Sequence, residues 1–79
     1  MWLQNQQIVG AALAAARKRG GLSQIEVARR LSKPQSFVSN YEKGQRRVDV
    51  LELVRIAKVL DQNPRRIFAD ILRRMPSKS

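Results

Sequence analysis

The sequence predicts an all-α fold of five short helices. Apolar residues recur at spacings of three and four, the period of an amphipathic helix, and no segment has the alternation typical of a strand. Glycine and proline divide the 79-residue chain into short pieces, which keeps each predicted helix short. Because a chain of this length forms one domain, we expect a single domain over residues 3–75 and a disordered tail over residues 76–79.

The first two helices are predicted from their apolar stripes and their end signals. The first covers residues 3–19, and Gly20–Gly21 provides the left-handed residue that ends a helix. Ser23 is the expected cap of the second helix, and Glu26 follows it at the spacing of a capping box. This helix extends to about Ser32. The apolar stripes are Val9, Ala12, Leu13 and Ala16 in the first helix and Val27, Ala28 and Leu31 in the second.

The third helix is predicted to start at Pro34, a residue suited to the first helical position, and to end at Gly44. At about 100° per residue, its two sides differ: Phe37, Val38 and Tyr41 lie on one side, and Gln35, Ser36, Ser39, Asn40 and Lys43 lie on the other. Serine and asparagine are weaker helix formers than the glutamate, lysine and arginine of an ordinary solvated face. Amides and hydroxyls at these positions suit recognition of base edges, and a tolerated polar face is the alternative.

The last two helices have the same kinds of signal. Asp49 and Glu52 form a second capping-box pattern, followed by the stripe Leu53, Ile56, Ala57 and Leu60. Asn63–Pro64 is the cap and first-turn proline of the fifth helix, which Pro76 ends. The fifth helix contains more apolar residues than a small core needs, namely Ile67, Phe68, Ile71, Leu72 and Met75.

The charge balance indicates an anionic partner. Sixteen Lys and Arg residues against six Asp and Glu give a net charge of +10. Such an excess favours nucleic acid first, with a membrane surface and an acidic protein as alternatives.

Missing residue types exclude most catalytic chemistry. The chain contains no Cys and no His, and its six acidic residues are scattered. Thiolate catalysis, cysteine-ligated zinc and a histidine base are therefore excluded, and we expect no enzyme, metal, cofactor or small-molecule ligand. The longest apolar run, residues 8–16, is shorter than the ~20 residues of a membrane span, and the basic residues follow it, the reverse of a secretory signal. We expect a cytoplasmic, DNA-associated protein without membrane association.

The second and third helices, joined by a turn of about three residues, have the spacing of a helix-turn-helix. Basic residues flank the third helix on both sides and could contact phosphates of a duplex: Arg29, Arg30 and Lys33 before it, and Lys43, Arg46 and Arg47 after it. The expected partner is therefore double-stranded DNA.

Residues at matching positions resemble the phage-repressor/Cro-type (lambda repressor-like) helix-turn-helix family. The resemblance is ungapped, covers about residues 13–67, and rests on Leu22-Ser23-Gln24, Val27-Ala28, Leu31, Pro34-Gln35-Ser36-Phe37-Val38-Ser39, Tyr41-Glu42, Gly44, Arg46 and Ile56-Ala57. It implies a lambda repressor-like DNA-binding domain in which helices 2 and 3 form the helix-turn-helix. The implied function is sequence-specific DNA binding by a transcriptional repressor or activator.

The resemblance also implies roles for individual residues. Gln35, Ser36, Ser39 and Asn40 would face base edges, and Ser23, Gln24, Lys33, Lys43, Arg46 and Arg47 would contact phosphates. Gln24 would in addition brace Gln35. Arg17 and Glu42 match a buried ion pair that joins the first helix to the end of the third, the alternative being an exposed pair worth about 0–1 kcal/mol.

The sequence departs from the family pattern at three positions. Ser32 replaces the usual glycine after the second helix, Val48 replaces the usual proline before the fourth, and Ile25 occupies a position that is usually polar. Phe37 suits either the core, which we favour, or contact with a thymine methyl group.

Helix-turn-helix proteins usually dimerise on half-sites about 34 Å apart. We therefore expect a homodimer at a near-palindromic operator, with part of the set Ile67, Phe68, Ile71, Leu72 and Met75 as the interface. One alternative function is an antitoxin or adaptor that holds an acidic protein partner and binds DNA for autoregulation. Non-specific architectural binding is a third hypothesis, which the scarcity of Lys and Arg on the polar side of the third helix disfavours.

Overall fold

The computed structural model describes residues 2–76. Within that range the chain forms five α-helices, as predicted: α1 (Trp2–Arg19), α2 (Gln24–Leu31), α3 (Gln35–Glu42), α4 (Val50–Val59) and α5 (Pro64–Arg74). Of the predicted tail, Pro76 follows α5, and residues 77–79 lie outside the described part. No helix among residues 2–76 has the length and apolar character needed to cross a bilayer.

One hydrophobic core joins all five helices. α1 packs against α3 and α5, α2 packs against α3 and α4, and α4 also packs against α5. The predicted apolar stripes face this core, where the most buried residues are Ala12, Leu13, Ala16, Val27, Ala28, Val38, Tyr41, Ile56, Ala57, Leu60 and Ile67. Ile25 is 55% exposed, so the phase predicted for α2 is right and this residue is an apolar exception on its outer face.

Two glycines allow α1 to lie directly on the C-terminal end of α3. A Cβ atom on Gly10 would overlap the carbonyl oxygen of Tyr41, and one on Gly44 would lie 2.7 Å from the backbone nitrogen of Gln7. Gly44 also has φ +80°, which other residues adopt with strain. The close backbone contact fixes the position of α3 on the first helix.

The two predicted capping boxes differ in the structure. At α4 both halves form: the Glu52 amide donates to Asp49 Oδ1 at 2.8 Å, and the Asp49 amide donates to Glu52 Oε1 at 3.3 Å. At α2 the Glu26 amide donates to Ser23 Oγ at 3.1 Å, but the Glu26 carboxylate pairs with arginines of its own helix. Only half of the predicted box at Ser23 is therefore present.

The turn between α2 and α3 corrects one predicted boundary. Pro34 is extended, with φ −69° and ψ 158°, and serves as the cap residue, so α3 begins one residue later than predicted, at Gln35. The fixed φ of proline suits a cap residue and a first helical residue equally, and the extended ψ of Pro34 identifies it as the cap residue. Ser32 takes the left-handed conformation of the glycine it replaces, with φ 57° and ψ 43°, and the Lys33 amide closes the turn on the Ala28 carbonyl at 2.9 Å.

Val48 has a physical role that the family's usual proline could not fill. Its backbone N–H donates to Oε1 of Gln6 on α1 at 3.2 Å, and its side chain packs against the core. A proline has no N–H to donate. The replacement therefore adds a hydrogen bond between the α3–α4 loop and α1.

Candidate nucleic-acid interface

The polar side of α3 faces outward and its apolar side forms part of the core. Gln35, Ser36 and Asn40 are exposed and Ser39 is half-buried, whereas Val38 and Tyr41 are at most 1% exposed. The four predicted base-contacting residues are therefore brought together on one face of a short helix, called here the polar face of α3. A helix of this shape can enter the major groove of B-DNA.

A buried ion pair fixes the end of α3 to α1. Arg17 Nε donates to Glu42 Oε2 at 2.7 Å, and Arg17 Nη2 donates to Oε1 at 3.2 Å. The two side chains are 12% and 7% exposed. Arg17 Nη1 also donates to the Leu22 carbonyl at 2.9 Å, so the same guanidinium holds the loop before α2.

Hydrogen bonds extend this ion pair to the first residue of α3. Gln24 Nε2 donates to Glu42 Oε1 at 2.9 Å, and Gln35 Nε2 donates to Gln24 Oε1 at 3.3 Å. Gln24 thus links Glu42, the last residue of α3, to Gln35, the first residue of the same helix. The arrangement leaves Gln35 with its carbonyl oxygen and one N–H, which is the donor and acceptor combination that pairs with adenine.

Phe37 of α3 is partly buried. Its ring packs edge to face against Tyr41, with centroids 5.9 Å apart and planes at 86°. The Arg46 guanidinium carbon lies 4.3 Å from the Phe37 centroid, and Lys33 Nζ lies 5.4 Å from it. The Phe37 ring therefore contacts both the buried Tyr41 ring and two cationic side chains.

Arg46 is held by a carboxylate of α4. Its Nη1 and Nη2 donate to Glu52 Oε1 at 3.1 Å and Oε2 at 2.8 Å, and Nη1 also donates to the Arg47 carbonyl at 2.9 Å. The hydrogen bonds from Arg46 lower the pKa of Glu52 and outweigh the effect of burial. The sequence indicated Glu52 as the capping-box partner of Asp49, and its contact with Arg46 was missed because a loop brings the two together.

The other predicted phosphate-contacting residues differ in their exposure and in the hydrogen bonds that their side chains form within the protein. Lys33, Lys43 and Arg47 are exposed. Ser23 is exposed but its Oγ caps α2, and Gln24 has one amide N–H left beyond the two hydrogen bonds described above. Arg29 and Arg30, in contrast, both pair with Glu26.

α5 requires a correction to the candidate dimer interface. Ile67 is 0% exposed and belongs to the core, so it has no surface to offer a second copy. Phe68, Leu72 and Met75 are between 42% and 55% exposed, and Ile71 packs partly against the core. The exposed apolar surface of α5 is thus narrower than the predicted set of five residues.

Comparisons with known proteins agree on the family. Residues 13–67 match the family described as Helix-turn-helix. No curated protein matches the sequence. An XRE-family like protein from Pseudomonas syringae pv. tomato str. DC3000 is 33% identical, with a TM-score of 0.76, over 92% of this chain and 89% of that one. The restriction-modification controller protein C.AhdI from Aeromonas hydrophila is 32% identical, with a TM-score of 0.73, over 82% of this chain and 98% of that one.

A third structure shows the shared fold alone. The clp gene regulator ClgR from C. glutamicum has a TM-score of 0.85 over 92% of this chain and 95% of that one, at 20% identity. The family match covers most of the chain, including α2 and α3, and confirms the predicted lambda repressor-like fold. It also confirms the expectation that the protein is not an enzyme. The chain belongs to the helix-turn-helix family of DNA-binding transcription regulators.

Proposed function

We propose that this protein regulates transcription by binding a near-palindromic operator in double-stranded DNA as a cytoplasmic homodimer. The observation that carries the proposal is the polar face of α3, which is exposed while the opposite side of the same helix is buried. Occupancy of the operator would block or recruit the polymerase. The name of C.AhdI, a controller protein, supports a regulatory role for a relative of similar length.

The proposed complex contains two classes of contact, one with base edges and one with phosphates. Gln35, Ser36, Ser39 and Asn40 contact base edges and specify the sequence. Cationic and polar side chains around them contact phosphates and position the protein, namely Ser23, Gln24, Lys33, Lys43, Arg46 and Arg47. The net charge of +10 supports strong attraction to a polyanion.

The experiment that tests this function is selection of binding sites from a pool of random DNA duplexes. We expect one enriched motif with inverted symmetry and half-site centres about 34 Å apart. Enrichment of a single half-site would support sequence-specific binding but contradict the dimer. A selected pool with no motif would contradict sequence-specific binding and favour the architectural alternative.

The exposed apolar residues of α5 support the dimer. Phe68 and Leu72 are four residues apart, which places them on one side of α5, and the exposed Met75 follows directly as the C-terminal cap residue. A two-fold contact between two such surfaces would remove them from water and stabilise the pair. Ile71 borders this surface, between it and the core.

Sedimentation equilibrium at micromolar concentration tests this interface. We expect a dimer for the wild type and a monomer for Leu72→Lys, because a buried ammonium without a partner opposes association. Leu51→Lys, which adds the same charge at an apolar residue of α4 that is 66% exposed, is the matched control and should leave the dimer intact. A wild-type protein that is monomeric at every concentration would contradict the dimer.

A second candidate function is an adaptor or antitoxin that binds an acidic protein. Arg65 and Arg66 of α5 are exposed, and within residues 2–76 neither forms an ion pair. These cations lie on the helix outside the helix-turn-helix, where an acidic surface could bind them. Purification from the native cells at 0.15 M salt tests this function. A partner at fixed stoichiometry that dissociates from an Arg65→Glu, Arg66→Glu variant would support it, and recovery of the protein alone would contradict it.

A further inference from the structure

Arg46 and Arg17 use different edges of the guanidinium group. Arg17 binds Glu42 through Nε and Nη2, the side of the group. Arg46 binds Glu52 through Nη1 and Nη2, the end of the group, and its second Nη1 hydrogen is used by the Arg47 carbonyl. Within residues 2–76 the Nε–H of Arg46 and the second hydrogen of Nη2 therefore remain without an acceptor. These two N–H groups lie on the same edge and form a fork.

We propose that Glu52 is a positioning residue for DNA binding, which holds Arg46 against the Phe37 ring so that the Nε–Nη2 edge of Arg46 binds one backbone phosphate through two N–H groups. This inference rests on the proposed function, because it names how one of the phosphate contacts is made. Arginine forks match the geometry of phosphate oxygens, and a two-point contact fixes orientation as well as adding attraction.

Two contacts fix the orientation of the Arg46 guanidinium in the folded protein. The carboxylate of Glu52 fixes one end of the guanidinium, and the Phe37 ring supports its face at 4.3 Å. A mobile arginine side chain loses conformational entropy when it binds a phosphate. Arg46 is already ordered in the folded protein, so this entropy cost is not added to the free energy of binding. The side chain is nevertheless 36% exposed, so the group is accessible to a ligand.

Glu52 is itself fixed by the start of α4. Its Oε1 accepts the Asp49 amide at 3.3 Å, and its own amide donates to Asp49 Oδ1 at 2.8 Å. Its side chain is 24% exposed. The capping box therefore orients the carboxylate that orients Arg46, and the loop between α3 and α4 is linked to the cap of the next helix.

Charge alone predicts the opposite effect of removing Glu52, which makes the proposal testable. An acidic residue near a DNA backbone opposes binding, so its loss should tighten binding if only net charge mattered. If Glu52 positions Arg46, its loss weakens binding although the protein becomes more positive. The sign of the change separates the two mechanisms.

The test uses E52Q and a 20-base-pair duplex of mixed sequence, because a phosphate contact is independent of the operator. Glutamine preserves the capping box at the third helical position but offers one acceptor oxygen in place of two, and its NH2 group is a donor where Arg46 needs the second acceptor. We expect Kd to rise about five- to tenfold at 0.1 M salt, the size of one charge-assisted contact. The slope of log K against log [salt] should fall in magnitude by about 0.9, the loss of one phosphate contact.

Two controls separate positioning from general structure or charge. D61N makes the same acid-to-amide change at the turn after α4, where Asp61 has φ 57°, a conformation that asparagine tolerates. It should not weaken binding or reduce the salt slope. In an R46A background, E52Q should no longer weaken binding, because the group that Glu52 positions is absent. Circular dichroism melting curves check that each variant is folded at the temperature of the titration.

The outcomes are distinguishable from those of the proposed function. If the wild type binds the duplex and E52Q binds as tightly as D61N or more tightly, the positioning role of Glu52 is wrong and the DNA-binding function stands. Equal weakening by E52Q in the wild-type and R46A backgrounds would also overturn it. A wild type that does not bind the duplex at all would overturn this inference, because a phosphate contact is independent of sequence, whereas the proposed function is decided by the selection of binding sites.

Discussion

Arg17 of α1 and Glu42 at the end of α3 form a two-point ion pair whose side chains are both at least 88% buried. Glu42 also accepts a hydrogen bond from Gln24, which in turn accepts one from Gln35. The carboxylate thus connects three helices. It also links the orientation of the first residue of α3 to the core of the protein.

Replacement of Glu42 by alanine should be strongly destabilising. It leaves the buried Arg17 guanidinium without its carboxylate, and breaking a buried pair in this way costs about 3–5 kcal/mol. Urea denaturation at pH 7 measures the change in the free energy of unfolding. The matched control is Glu26→Ala, which removes a carboxylate bound to the more exposed Arg29 and Arg30 and should cost about 0–1 kcal/mol. Equal losses from both variants would contradict the structural role of Glu42.

Ser32→Gly should stabilise the protein by about 1 kcal/mol, because a non-glycine residue is strained in the left-handed conformation. Ser32 has φ 57° at the end of α2. The control is the same substitution at Ser39, in the middle of α3, which should destabilise by about 0.5 kcal/mol, the difference in helix propensity between serine and glycine. Thermal unfolding followed by circular dichroism measures both changes. A Ser32→Gly variant that melts at a lower temperature than the wild type would show that the turn has no strain to relieve.

Tyr41→Phe should stabilise the fold by about 1 kcal/mol, because the hydroxyl group is buried without compensation. Within the described residues the Tyr41 hydroxyl oxygen has no hydrogen-bond partner, and burial raises the pKa of this group above its ordinary value. The ring itself fills the core and remains in the variant. Chemical denaturation in urea measures the effect. A loss of stability larger than about 1 kcal/mol would mean that the hydroxyl group has a partner in solution.

Asp70 should make folding stability depend on pH in the acidic range. The hydrogen bond from Arg73 and the weaker effect of the hydrogen bond from Arg74 lower the pKa of Asp70 in the folded protein, although burial raises it. The folded state therefore binds the proton less tightly than the unfolded chain does. The stabilisation is complete above the unfolded pKa, ordinarily 3.8, and is lost as the pH falls through the lower folded value.

Asp70→Asn removes this titration. The difference in unfolding free energy between the wild type and the variant should be largest near pH 7 and should shrink below about pH 4. Urea denaturation at a series of pH values measures it. A difference that stays constant down to about pH 2 would show that Asp70 has no lowered pKa in the folded state.

The helices were predictable because their signals are local. The stripe of Ala12, Leu13 and Ala16 is buried as its spacing predicts, and Asp49 and Asn63 both cap helices through their side chains. The exposed polar face of α3 was predictable for the same reason, since the helical period of about 3.6 residues places it on the side of α3 opposite Val38 and Tyr41. The contact between Arg17 and Glu42 followed from the family resemblance, because nothing local relates residues 25 positions apart.

Features that depend on tertiary contacts were missed. Gly10 is a weak helix former in the middle of α1, and only the approach of the α3 backbone explains its presence there. Ile67 and Phe68 are adjacent apolar residues, yet the packing of α5 buries one and exposes the other. The bond between Arg46 and Glu52 depends on a loop geometry that the sequence does not specify.

The affinity of Gln35→Ala for two duplexes, the selected operator and a scrambled duplex of the same composition, is the most direct test of the polar face of α3. We expect a loss of about 1–3 kcal/mol on the operator and almost none on the scrambled duplex, because the contact proposed for Gln35 is with a base edge. Lys43→Ala is the control and should weaken binding to both duplexes alike, because the contact proposed for Lys43 is with a phosphate. If Gln35→Ala binds the operator as tightly as the wild type does, or loses equal affinity on both duplexes, α3 does not specify the sequence through this residue.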